Sequence, residues 1–149
     1  MKELEFELLH GFYIEDLKIG QEEILAKTIT EADIILFAGL TGDNNPVHTS
    51  DDFASKTIFK KKVAHGFLTA SLISNVIGTK LPGPGSIYIK QSLSFLAPVY
   101  YGDNIIVRVI VKEVNSKNNR VKLSTFCEKN GKKILDGEAE ILVRSRKGK

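Results

Sequence analysis

The chain is predicted to fold as α+β, an antiparallel sheet curled around one central helix, on three observations. From residue 86 onward, apolar side chains recur at every second position in four successive runs, the pattern of half-buried strands. Ahead of them Gly66 to Thr79 is apolar on nearly every side, at Phe67, Leu68, Ala70, Leu72, Ile73, Val76 and Ile77, as a helix wrapped by other structure requires. Between the two, Leu81-Pro82-Gly83-Pro84-Gly85 ends the first period before the second begins. Strands that follow a helical run, rather than alternating with helices, give segregated layers.

Taken in order, residues 12–21 form a lead-in that ends in a Gly turn, and residues 23–29 a first strand. Thr30 with Asp33 makes a Thr-x-x-Asp helix start, and Ala32, Ile35, Leu36, Gly39 and Leu40 supply the apolar face before Gly42 stops the helix. Thr49 with Asp52 repeats the cap pattern and opens a short helix through Phe53 and Ala54. After the central helix, Ile87, Ile89, Gln91, Leu93 and Phe95 alternate with Tyr88, Lys90, Ser92 and Ser94; Pro98 and Gly102-Asp103 end that strand. Ile105, Val107, Val109 and Val111 share one face of the next, and residues 115–119 turn the chain into Arg120–Lys129. Asn130-Gly131 is a type I′ hairpin signal, because both turn positions need positive φ. In the last strand Leu135, Gly137, Ala139, Ile141 and Val143 share a face, whose small members would let a helix approach the sheet. The four-strand run reads as a meander.

At 149 residues the expectation is a single domain, residues 1–149, with one core. No apolar run approaches the ~18 residues of a membrane span. The start, Met-Lys-Glu-Leu-Glu-Phe-Glu, lacks the apolar core of a secretory signal, so the expected compartment is the cytoplasm. Cys127 has no partner for a disulfide within the chain and falls in a strand pattern, which suits a buried inert thiol. Net charge is +3, with excess at Lys60, Lys61 and Lys62 and at Arg144, Arg146, Lys147 and Lys149. Neither cluster is interleaved with aromatics, which argues against nucleic acid and for a solvated face. A sharper reading has one cluster meet the phosphates of a charged acyl carrier such as coenzyme A.

Residues 41–48 read Thr-Gly-Asp-Asn-Asn-Pro-Val-His. Asp43 and His48 are separated by a Pro and preceded by a Gly, which places both on a loop, immediately before a helix. A carboxylate and an imidazole facing the N-terminus of the Gly66 helix outline a site for proton transfer with anion stabilisation by backbone N–H groups. Either residue alone has an equally good account in turn formation or packing. Three dispersed histidines without clustered Cys give no metal-site spacing. His65 is assigned a capping or structural role, and His10 none.

With Asp43-Asn44-Asn45-Pro46-Val47-His48 in the form Asp-x-Asn-Pro-x-His, Ala64-His65-Gly66-Phe67 at the central helix, and Gly85-Ser86-Ile87-Tyr88 leading into Gln91-Ser92-Leu93-Ser94-Phe95, the chain resembles the MaoC-like, (R)-specific enoyl-CoA hydratases of the hot-dog fold. The resemblance covers nearly everything after the first ten or so residues. It implies reversible syn hydration of a trans-2-enoyl-CoA to a (3R)-hydroxyacyl-CoA by Asp43 and His48, with no cofactor beyond the substrate's own CoA and no metal. His48 is the general base; Asp43 holds the water and exchanges the proton at the α-carbon. Gly66 offers its N–H to the thioester oxygen, Asn45 orients the loop, and Ser74 hydrogen-bonds within the site, although a small residue at a tight helix–sheet contact explains Ser74 equally. The resemblance further implies a homodimer, which would cover the sheet's open edge. The competing expectations are a hot-dog acyl-CoA thioesterase and a non-catalytic acyl-CoA binding module.

Overall fold

A computed structural model describes residues 2–148. Five strands form one antiparallel sheet: β1 (Glu22–Thr28), β2 (Ile87–Phe95), β3 (Asn104–Asn115), β4 (Arg120–Lys129) and β5 (Lys132–Leu142). The helices are α1 (Glu3–Leu9), α2 (Glu31–Thr41), α3 (Pro46–Thr49), α4 (Asp51–Ser55) and α5 (Gly66–Thr79), with a single 3₁₀ turn at Ile14–Asp16. The expected α+β arrangement is present, with α5 laid against the sheet.

The alternation in β3 and β4 does what its period requires. Ile105, Val107, Val109 and Val111, with Val121, Leu123 and Cys127, are fully or almost fully buried and meet Ile73, Val76 and Ile77 of α5 in one cluster. Each such side chain contributes roughly 1.5–3 kcal/mol of transfer free energy. Asn130 (φ 51°) and Gly131 (φ 74°) both take the positive φ that the type I′ turn demands.

Three expectations about the sheet and its helix are corrected. The strands run in the order β1-β3-β4-β5-β2, so β2 does not start a meander; it pairs with β5 at the far edge. A register irregularity between Tyr88 and Lys90 and the edge position leave much of its apolar content in solvent, with Ile87 55% exposed. The small residue at Gly137 serves strand packing rather than helix approach: a Cβ there would lie 1.9 Å from the Ser92 carbonyl oxygen of β2. The Gln91 amide crosses this position and donates to Thr125 Oγ1 of β4, buried beyond it, at 2.9 Å. Finally, α5 is not wrapped on all sides, since Phe67 (66% exposed), Ser71, Ser74 and Asn75 face outward.

Around the site, α2 starts at the expected capping box: Thr30 Oγ1 accepts the Asp33 N–H (3.1 Å) and Asp33 Oδ2 accepts the Thr30 N–H (2.8 Å). It stops at Gly42, whose φ of 76° is left-handed. Its buried face is Ile34 and Ala38, however, while Ile35, Leu36 and Leu40 point outward. The second cap is also displaced, because Thr49 lies inside α3. Ser50 caps α4 instead, its Oγ accepting the Phe53 N–H at 3.2 Å. At the N-terminus, the acid–apolar alternation forms α1, with Leu4 and Leu8 exposed.

Candidate active site

Asp43 and His48 are brought together, but not both on a loop. Pro46 occupies the first position of α3, where its fixed φ suits the helix and its missing N–H is no loss, so His48 stands on a one-turn helix. Asn45 caps that turn. Its Oδ1 accepts the Val47 N–H at 3.2 Å, and its own N–H donates to Asp43 Oδ1 at 3.3 Å, which ties the acid to the helix that carries the imidazole.

His48 is held by its Nδ1, 2.8 Å from the Val63 carbonyl oxygen. A carbonyl only accepts, so the hydrogen sits on Nδ1 and the lone pair of the neutral ring sits on Nε2. The half-buried ring lines a cavity of about 360 Å³ beside Gly66, a volume within the range of small-molecule sites. The cavity walls are apolar, from Val47, Phe59, Val63 and Ala64 on one side and Phe95, Leu96, Pro98, Val99, Ile134 and Leu135 on the other. Among the described lining residues only His48 and Thr69 carry polar side chains. A backbone bond from Ala64 N–H to Val99 O at 2.7 Å joins the two sides, and one from Leu96 N–H to Ile134 O at 2.9 Å braces the second.

Gly66 is the first residue of α5, so its N–H has no carbonyl within the helix to bond. A Cβ there would meet the Phe95 ring at 2.9 Å, so the half-exposed ring would have to shift to admit one. Ser74, two turns further along α5, is exposed and not among the cavity-lining residues.

His65 is the residue that sequence spacing undervalued. It stands at the N-cap of α5 but makes no side-chain cap bond. Instead its Nε2 lies 3.0 Å from the Asp43 carbonyl oxygen, 22 positions away, and its ring lies 3.8 Å, centroid to centroid, from that of His48. Ligand-type atoms of Asp43, His48 and His65 thus fall within 4.8 Å of one another, so dispersion along the chain did not preclude a cluster that could contact a metal ion. One nitrogen of each ring donates to a carbonyl, which leaves one bare nitrogen on each, and the rings are tilted by 31° across the contact. The one sequence signal for His65 was its place beside Gly66.

His10 lies apart from the cavity, with its Nδ1 donating to the Gly11 carbonyl oxygen and its ring stacked 4.3 Å from Tyr13. Of the basic clusters, Arg146 is engaged by Asp16, and Lys62 by Glu31 and Asp51. Lys61 holds its ammonium 4.4 Å from the centre of the Tyr100 ring, whose hydroxyl donates to the carbonyl of cavity-lining Phe59. Cys127 is fully buried, and burial pushes its thiol up to about 12.

The family model described as "MaoC like domain" matches residues 17–131. An (R)-specific enoyl-CoA hydratase of Rhodospirillum rubrum is 49% identical over 139 residues, 93% of this chain and 95% of the relative. A 3-hydroxybutyryl-CoA dehydratase of Methylorubrum extorquens is 47% identical over 91% of this chain and 86% of its own length. The solved structure of R-hydratase PhaJ1 from Pseudomonas aeruginosa, unliganded, superposes with a TM-score of 0.86 at 42% identity, covering 91% of this chain and 88% of that one. No helix among the described residues is long and apolar enough to cross a membrane. On a match spanning residues 17–131 and relatives alike over almost their whole length, the chain belongs to the MaoC-like domain family, with the hot-dog fold.

Proposed function

We propose that this protein is an (R)-specific enoyl-CoA hydratase, adding water reversibly to a trans-2-enoyl-CoA. The observation that carries the reading is the orientation of His48, whose Nδ1–H is committed to Val63 so that Nε2 is left as the base of a cavity-lining ring, with an Asp43 carboxylate oxygen within 4.8 Å of a ring nitrogen. The hydratase and dehydratase relatives support the same chemistry. His48 Nε2 takes a proton from water as its oxygen bonds to the β-carbon. The Gly66 N–H and the α5 N-terminus stabilise the negative charge that collects on the thioester oxygen. Asp43 orients the water and passes the proton that His48 has taken to the α-carbon on the same side, so the water's elements add syn and the pair ends in its starting charge state. Nothing beyond the substrate's own CoA takes part in these steps.

The test is crotonyl-CoA. The absorbance of the conjugated thioester should fall without release of free thiol, and the product should be inert to a dehydrogenase that accepts only (3S)-hydroxyacyl-CoA. Thiol release would mark a thioesterase, binding without turnover a carrier module, and ready reduction of NAD by the coupled enzyme the opposite stereochemistry.

A homodimer belongs to the same reading. Its support is the edge strand β2 with Ile87, Ile89 and Phe95 exposed, together with Phe67 and Leu96 nearby in solvent. A monomeric mass by light scattering at micromolar concentration, with activity retained, would rule this out. A cytoplasmic location is consistent with the lone reduced Cys127, and fractionation of the source cells tests it.

A further inference from the structure

His65 is 2% exposed, and two of its contacts lead to the site. Its Nε2 donates to the Asp43 carbonyl oxygen at 3.0 Å; one side of the ring meets His48 at 3.8 Å, and Phe37 of α2 lies 5.0 Å away, tilted by 49°. Since the carbonyl fixes the hydrogen on Nε2, the bare ring nitrogen is Nδ1, which is shielded and has no partner among the described residues.

The other bonds of Asp43 are local. Its N–H donates to Thr41 Oγ1 at 3.2 Å and its Oδ1 accepts from the Asn45 N–H at 3.3 Å, both two positions away. The bond from His65 ties Asp43 to the start of α5, 22 positions away. Val63, two residues earlier, holds the imidazole of His48, and Gly66, one residue later, offers the open N–H. Residues 63–66 therefore hold the base, the acid and the anion-binding donor in one short stretch of backbone.

We propose, resting on the hydratase reading above, that His65 is a positioning residue of this site. Its Nε2–H fixes the Asp43 backbone, and its ring is the wall against which His48 lies, so the two proton-handling groups keep their separation through turnover. The magnitude follows from geometry: a displacement of about 1 Å in a reacting pair lowers the rate ~10²-fold. A buried histidine that merely fills space would act through stability alone.

Three variants separate the contributions: His65→Leu removes both donor and ring, His65→Gln keeps an N–H donor near the Nε2 position, and His65→Phe keeps only a ring face. With crotonyl-CoA, His65→Leu should lower kcat ~10²-fold with little change in KM, and Gln and Phe should each restore part of the loss. In a His48→Gln background, His65→Leu should cost much less than in the wild type, because the separation it maintains has lost one of its two members and only the hold on Asp43 remains. Should His65→Leu not fold, the Gln and Phe variants and their His48→Gln doubles carry the same comparison. The proposal is overturned if folded variants keep near wild-type kcat, if their losses track melting temperature alone, or if the losses multiply with that of His48→Gln. Wild-type hydration in the same assay keeps the two ideas apart: if the wild type hydrates and His48→Gln lowers the rate while folded His65→Leu stays near the wild-type kcat, only the positioning role falls. If the wild type does not hydrate crotonyl-CoA at all, the hydratase reading falls, and the positioning role falls with it.

Discussion

Replacing Gly137 with Ala should be among the most damaging small changes available, and the structure gives its size. The backbone of Gly137 is outside the left-handed region, so an alanine is conformationally acceptable and the effect comes from space alone. The new Cβ would stand 1.9 Å from Ser92 O and 2.9 Å from Gln91 Nε2, where real contacts stay above 3.0 Å. The carbonyl belongs to the neighbouring strand, so β2 must move by about an ångström; forced overpacking of this kind costs ~1–3 kcal/mol. The Gln91 amide is displaced as well, which strands the fully buried Thr125 hydroxyl at ~1–3 kcal/mol. A total of roughly 3 kcal/mol lowers Tm by roughly 6–12 °C for a chain of this length. Gly39→Ala is the control of opposite sign. Gly39 lies in α2, where an added methyl would have nothing within 4 Å, and the substitution should stabilise by about 0.4–1 kcal/mol. Differential scanning calorimetry on both variants decides the matter. A Gly137→Ala melting point within about 2 °C of wild type, a margin set by the roughly 2–4 °C per kcal/mol of such a chain, would refute the argument that β2 packs against bare backbone here.

Asp43→Asn and His48→Gln keep size but remove proton transfer, so each should lower kcat by ~10²–10⁴ with the circular dichroism spectrum unchanged; near wild-type hydration by a folded variant would remove that residue from the mechanism. The hydrogen bond from Lys27 to Asp33, at 2.7 Å, holds that carboxyl down at about 2 from its ordinary 3.8. Because the folded-state value is depressed, the stabilisation is complete above the ordinary value and disappears as pH falls from 3.8 through about 2. The stability gap between wild type and Asp33→Asn, roughly 1–2 kcal/mol after solvent screening, should close over that window in urea titrations; a gap independent of pH would count against the ion pair. Cys127, fully buried with its thiol at about 12, should resist an aromatic disulfide reagent at a pH of about 8 until denaturant is added, and rapid native labelling would contradict its placement.

Much of this molecule could be read from local rules. The capping box at Thr30 and Asp33, the type I′ turn at Asn130-Gly131 and the alternation of β3 each depend on residues a few positions apart, and each formed as expected. What escaped was set by distant partners. In α2 the run Ile34-Ile35-Leu36-Phe37-Ala38 is apolar throughout, so periodicity could not say that Ile34 and Ala38 would face inward; that choice is made by the tertiary packing that takes Ile34 into the core. The edge position of β2 follows from pairing with β5, which no alternation encodes. At the site, the short motif announced Asp43 and His48. The neighbour that secures both, His65, is separated from Asp43 by 22 positions and meets it only when the fold closes.

The bond between His48 Nδ1 and the Val63 carbonyl closes a ring of chain spanning 15 positions, and Phe59, part of the cavity wall, rides on that ring. Anyone reshaping the pocket for a different acyl tail therefore meets two kinds of wall. Carving at Phe59 enlarges the space but slackens the tether of the base, so substrate range and turnover will trade against each other there. Leu96 and Ile134 belong to the opposite lip, outside the ring, and offer room to alter what the enzyme accepts without disturbing how it moves protons.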